Sequence, residues 1–593
     1  AELLNSGIPA SRILVLVQNS KLKNKFVENT LNQLKIHAFE KFEVHSFFSL
    51  VYNTIIDNWA VIENSNPYPN PEILPNLAGL EVSQFILKDI IKEVQFKGYN
   101  SKKSLLHQLF RRYSLIVQNN LDDDEIEWRS RVLKESFADD VKITLKKLLA
   151  KTLALRDFDY LRQGLVFNYI YKNTDYFKNI EYIFVDDGDE ITPICFDFIK
   201  HLAPQLKEAF IAYDPKGASR CGYLSADKTA VWEFEKLFNE KAIKIETLTK
   251  LKEDAATIFD NAAFEQNNIL KNFTIQSPSK RAKMLDLAVE RINKLLKSNV
   301  LPSEIAIVTP VIDEMLKFAL KENVKNHTNL VFISGNEKLI QNPLVLSVLT
   351  ILKLNAGMQD KLTSFDIRAI LTNFLEIPIK YCREILETFD REKKLIPFEF
   401  VHKEYSEKYE KFLEIVNSHS QSQKKLSAQV LDIYENLMEF KSFKPEELNK
   451  FNFFIKQLNE FENIFKTDFD NRKTEIITQI ENSIIAENPY SSMETGERDL
   501  IIGTPQKIID NQVRTKYQLW LDISSDEWIK SDTGPLYNAW VFQRGWNKDE
   551  YTIEDNIELG REKTARILRK LTLCADEKVF AFSSLFDGNG IEN

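Results

Sequence analysis

Tyr182-Ile183-Phe184-Val185-Asp186-Asp187-Gly188-Asp189-Glu190 is the stretch on which the fold reading turns. Four apolar residues in a row, with no polar alternation, read as a strand buried on both faces, as in a parallel sheet. The run then ends in carboxylates. In open α/β sheets ligands lie outside the carboxyl ends of the strands. Paired carboxylates there can hold a hydrated Mg²⁺ bound to nucleotide phosphates and orient an attacking water. They can equally form a solvated acidic turn that caps a helix starting near Ile191. The local sequence leaves both readings open.

Moving outward, the same alternation recurs. Ile13 to Val17 reads as a strand, Lys21 to Leu34 as a helix and Phe42 to Phe48 as a second strand. Asp157 to Tyr171 reads as a helix, and Glu208 to Tyr213 as a strand ending in Asp214-Pro215. The pattern restarts near residue 270. Helices are expected over Ala282–Leu296 and Asp313–Lys321, with strands at 305–308, 330–333, 500–502, 517–521 and 578–582. Strands alternating with helices imply an α/β fold with doubly wound parallel sheets. Long charged, amphipathic stretches interrupt each sheet. Pro67, Pro69, Pro71 and Pro75 mark an extended connector within Trp59–Asn76. The expected division is a first sheet domain over 1–76 and 156–275 with a helical insertion at 77–155. A second sheet domain spans 276–360 and 491–593, with a helical insertion at 361–490.

Composition narrows the classes. The 593 residues are 44% hydrophobic and 28% charged, which is ordinary globular usage. Lys and Arg number 78 against 87 Asp and Glu, a net charge of −9, so any nucleic-acid site must be a local basic groove. The four cysteines, Cys195, Cys221, Cys382 and Cys574, form no C-x-x-C pair, which points away from zinc ribbons and disulfide frameworks and toward a reducing cytoplasm. No apolar run reaches membrane-spanning length, so no membrane partner is expected. The N-terminal residues show no secretory pattern. The histidines show no metal-binding spacing.

The order of elements resembles the UvrD/Rep (PcrA-like) superfamily-one DNA helicases. Gly7-Ile8-Pro9-Ala10-Ser11-Arg12-Ile13-Leu14-Val15-Leu16 looks like the family's G-I-P-x-x-R-I-L-A-L segment. Val44-His45-Ser46-Phe47 is similar to its single-strand-contacting T-F-H-S-F motif. Asp157-Phe158-Asp159-Tyr160-Leu161 resembles its D-F-D-D-L, and Val185 to Glu190 its motif II, V-D-E-x-Q-D. Asp214-Pro215 matches the G-D-P of motif III, Ile305 to Val308 motif IV, and Gly335 to Leu354 the segment that follows. The resemblance implies two RecA-like doubly wound domains, each with a helical insertion. It also implies catalytic Asp186 and Asp187, with Asp186 as the Mg²⁺ ligand when nucleotide binds. Asp189, Glu190, Asp214, Thr504 and Gln506 become nucleotide-sensing residues. His45, Ser46, Phe47, Lys21, Arg111 and Arg112 become DNA-binding candidates. Phe48, Tyr52 and the tryptophans Trp520, Trp528, Trp540 and Trp546 add aromatic rings suited to base stacking.

The departures from the family pattern bear on activity. No G-x-x-x-x-G-K-S/T loop occurs, and that loop's N–H groups and Lys hold the β- and γ-phosphates. The motif II Glu is Asp187. The motif IV Arg falls at Pro310 and the motif VI Arg at Leu573. An arginine finger alone is worth about a thousandfold or more in rate. Binding of ATP and Mg²⁺, the family's cofactors, is therefore expected to be weak or absent. The expectation is a DNA-binding helicase homologue with a degenerate ATP site in cytoplasmic DNA repair or recombination. Its tail, Phe582 to Glu592, looks like AddB/RecC-type subunits, which implies a nuclease or second helicase subunit as partner. Two alternatives are an active ATP-dependent 3′→5′ helicase whose phosphate loop lies upstream of Ala1, and a protein-interaction scaffold without DNA binding.

Overall fold

Ile13–Val17 (β1), Val44–Ser46 (β2), Tyr182–Val185 (β3) and Glu208–Ile211 (β4) form a parallel sheet in the order β2-β1-β3-β4. The computed structural model describes the chain apart from residues 36–41, 60–75, 78, 95, 97–98, 100–101, 155–156, 159–161, 223, 240–242, 244, 246–248, 325–327, 334–337, 420–423, 439, 444, 467, 483–495, 530–531 and 587–593. The side chains of residues 20–21, 76–77, 102–103, 152–165, 418–419 and 445–446 also lie outside the described set. The expected proline-bearing connector therefore falls almost wholly outside it.

A second parallel sheet is built from Phe273–Gln276 (β5), Ile305–Val308 (β6), Asn329–Ile333 (β7), Asp499–Gly503 (β8), Thr515–Trp520 (β9) and Ala575–Phe582 (β10). Its order is β5-β10-β9-β6-β8-β7. β6 is buried at all four positions, which explains its unbroken Ile-Ala-Ile-Val. The register pairs Leu16 with Val185, and Val185 with Ile211, so the ends of β1, β3 and β4 come level at Asp186.

The chain between the strands is helical, as its periodicity indicates. Helices at 80–94, 102–118, 123–132 and 138–154 follow β2, and a longer helical series from Pro343–Asn355 to Phe469–Glu481 separates β7 from β8. The two series share one hydrophobic core. Phe85 sits edge-on to Phe461 and Phe465 at 5.3 and 5.5 Å, and the guanidinium of Arg472 lies 4.2 Å from the Phe85 ring. Each apolar helix face, insufficient alone, is thus covered by the other series.

Four local expectations differ. The second strand covers only Val44–Ser46, because the Ser46 hydroxyl caps a helix beginning at Phe47, accepting from Ser49 N at 3.2 Å. Asp157-Phe158 pairs as a short strand with Asn76-Leu77, and the helix starts at Arg162. β5 is an additional edge strand; Ile275 stays exposed, so apolar patterning gives it little signal. Trp540 and Trp546, offered for base stacking, follow a two-residue antiparallel pair, Thr533-Gly534 with Tyr537-Asn538, and lie in turns. Among the described residues no helix is long and apolar enough to cross a membrane.

Candidate functional site between the two sheets

Beyond β3 the backbone turns sharply. Asp186 N donates to Leu16 O at 3.0 Å, Gly188 N to Ala212 O at 2.8 Å, and Glu190 N to Asp187 O at 2.8 Å. Asp187 adopts a left-handed φ of 52°. Such a conformation is unfavourable for a residue with a Cβ and is concentrated at functional or strained sites. The turn carries its carboxylates into the contact between the two sheets.

Asp189 and Glu190 are deeply buried and densely hydrogen-bonded. Asp189 accepts from Asp214 N at 2.9 Å and Ala218 N at 3.0 Å. Glu190 accepts from Ser219 N and Ser219 Oγ, both at 2.7 Å, and from Arg220 N at 2.9 Å. This cradle requires glycine at 217, since a Cβ there would lie 1.8 Å from Asp189 Oδ2. Expected as neighbours of a nucleotide, these two side chains instead organise the loop after β4.

The opposing charge comes from the long helix Ile553–Leu573, which connects β9 to β10 in the second sheet. Lys570 Nζ lies 2.8 Å from Asp189, 2.5 Å from Glu190 and 4.0 Å from Asp187. Arg569 pairs with Asp214, and Arg566 donates to Gly217 O at 2.7 Å. Burial works against the Lys570 charge, but Glu190, Asp189 and Asp187 outweigh it and raise its pKa. Burial also pushes Asp189 upward; Lys570 overcomes this and holds its carboxyl below the usual range. Asp187 is pushed up to about 6, chiefly by burial, with Lys570 only partly offsetting it. Burial likewise raises Asp186.

A second contact joins the segments that follow β8 and β1. Thr504 precedes the helix Pro505–Asp510 as its cap residue. Gln506 Nε2 donates to Asp510 at 2.8 Å, Arg220 Nε to the same carboxylate at 3.1 Å, and Asn19 Nδ2 to Asp510 O at 2.8 Å. Gln506 and Arg220 thus share the Asp510 carboxylate, while Thr504 serves as the helix cap residue.

The DNA-binding candidates are placed less uniformly. His45 is buried, with its Nε2 3.2 Å from Glu43; burial lowers its pKa despite that neighbour. Ser46 is the helix cap described above, and Phe47 packs edge-on against Phe167 at 5.5 Å. Phe48 and Tyr52, one turn apart on the same helix, are the exposed aromatics of this segment. The Lys21 side chain lies outside the described residues. Arg112 does not reach an outer surface: it is 1% exposed and paired with Glu135. Arg111 donates to Tyr537 Oη at 2.5 Å. Trp520 and Trp540 are buried, and their indole N–H groups reach Gln518 and Asn556. The paired arginines and these tryptophans hold the structure together rather than forming an open stacking track.

Lys570 carries no sequence signal of its own. The residue lies in Arg569-Lys570-Leu571, next to the expected arginine position at Leu573, and one helical turn separates the side chains that face the first sheet. No protein-family model and no curated protein sequence matches the chain.

Among the described residues, no three His, Cys, Asp or Glu side chains converge as metal ligands. Oxygens of Asp189 and Glu190 are committed to backbone N–H groups and to an ammonium. A hard divalent ion needs several free oxygens, so Asp189 and Glu190 as arranged do not offer it ligands.

Proposed function

We propose that this chain is a UvrD/Rep-like DNA helicase homologue built on two RecA-like domains. Its nucleotide site has become an internal contact between the two sheet domains, and it serves as a DNA-binding, scanning or scaffold subunit in repair or recombination. The observation that carries this reading is the seating of Lys570 on Asp189 and Glu190 at the end of β3. A strand-end carboxylate set faces the second sheet, and a lysine of the chain itself satisfies it. Two parallel sheets, each interrupted by helices, support the architecture. Exposed Phe48 and Tyr52 offer stacking, and Lys23 on the helix Ser20–Leu31 offers a phosphate contact. The partner in this reading is a nuclease or a second helicase subunit that supplies catalysis.

The test combines ATP hydrolysis with single-strand binding. The expected outcome is no DNA-stimulated turnover, together with DNA binding that weakens steeply as salt rises and that Phe48→Ala and Tyr52→Ala reduce. Turnover abolished by Asp187→Ala refutes the degenerate site. Absence of salt-sensitive DNA binding refutes the DNA reading and leaves a scaffold.

A further inference from the structure

We propose that two internal clamps hold the two α/β units in one fixed, closed arrangement: the Lys570 contact at the end of β3, and a strap, residues 532–546, inserted against the first helical series. The strap leaves the second sheet after β9 and crosses to the other unit. Leu536 N donates to Gln108 Oε1 at 2.9 Å, and Arg111 reaches Tyr537. The Arg112 guanidinium lies 4.3 Å from the Phe542 ring, and Arg129 donates to Gln543 O at 3.2 Å. Tyr537, Ala539 and Phe542 share an apolar cluster with Leu115, Ile116 and Leu121.

The far end of the strap is anchored in the first unit itself. Arg544 grips Asp197, on the helix Pro193–Leu202, through both terminal nitrogens at 2.7 and 2.6 Å, and its backbone N donates to Asn119 Oδ1 at 3.0 Å. A planar two-pronged pair of this kind fixes orientation as well as distance. The clamps are mechanically linked, because Lys563 pairs with Asp532 at the strap's root and lies on the helix that carries Lys570. Turning one sheet against the other must separate Lys570 from buried carboxylates and lift the strap in the same movement. Separating one partner from a buried pair leaves an uncompensated charge, so the geometry opposes an opening and closing cycle. The clamps are independent of what the chain binds; they stand or fall apart from the DNA reading.

The experiment uses the full chain with spin labels, carried on unnatural amino acids, at positions 200 and 297. Both positions are exposed, one on each unit. Pulsed electron resonance is expected to give one narrow distance distribution, unchanged by millimolar Mg-ATP or Mg-ADP. Lys570→Met and Arg544→Met should each broaden it while far-ultraviolet circular dichroism stays that of the parent. Two populations in the parent chain, or a shift on adding nucleotide, overturns the proposal without recourse to any variant. A distribution as narrow in both variants as in the parent overturns the role of the clamps.

Discussion

Lys570→Met is the most informative perturbation of the contact between the sheets. The ammonium lies 2.8 Å from Asp189 and 2.5 Å from Glu190, whose side chains are each 2% exposed. At an effective dielectric of about 20, charges about 2.8 Å apart attract by about 6 kcal/mol. Much of this is offset by taking the ammonium and carboxylates out of water. Truncating one partner of a buried pair nevertheless costs about 3–5 kcal/mol, because the remaining charge stays buried and unpaired. Each sheet keeps its own apolar core, so the loss should fall on docking of the units. We expect the first transition in urea, followed by tryptophan fluorescence, to move to lower denaturant. A double-mutant cycle with Asp189→Asn should show coupling of about 1.5 kcal/mol or more, the range of close charge pairs. A cost under about 1 kcal/mol with no coupling is the signature of an exposed ion pair, and would refute the argument that Lys570 closes the site.

Four further outcomes follow from the structure. Burial pushes Asp187 up to about 6, above its ordinary value, so the folded state takes up its proton first; stability should rise as pH falls from about 7 to about 4 and Asp187→Asn should flatten that rise. Asp189 has the opposite sign, its pKa being depressed. Its contribution is present above about 4 and is lost only in more acid solution, which denaturation midpoints against pH will locate. Asp187→Gly relieves a left-handed residue with a Cβ and should raise the unfolding free energy, read from urea denaturation, by about 1 kcal/mol after the added flexibility of the unfolded chain is subtracted. Phe85→Ala should cost about 3–5 kcal/mol by leaving a hole where both helical series meet, read as early loss of helical circular dichroism on heating.

The strands buried on both faces were the legible part of the fold. Ile13–Val17, Tyr182–Val185 and Ile305–Val308 announce themselves because every side chain must be apolar, and they form with those bounds. β5 gave a weaker signal because an edge strand with exposed Ile275 lacks that constraint. The Asp157-Phe158 pairing depends on a partner 81 positions away in sequence, Asn76-Leu77, which no local period encodes. Of the candidate site, the carboxylates at 186–190 were visible as the abrupt end of an apolar run. Their cation was not, because Lys570 on a charged amphipathic helix looks like any solvated lysine until the fold brings it to β3. Arg111 and Arg112 misled for the converse reason: a basic pair reads as surface, whereas these side chains are committed to Tyr537 and Glu135.

The shared core of the helical series sets a timetable for synthesis. The apolar face that includes Phe85 is completed only by Phe461 and Phe465. At roughly 5–20 residues per second, the ribosome needs about 20–75 s to travel from one to the other. For that interval the nascent chain carries an uncovered hydrophobic surface while β8, β9 and β10 do not yet exist. Cells that make this protein must shield that surface, and depletion of a nascent-chain chaperone should cost more of its yield than of a protein whose helices close on sequence neighbours.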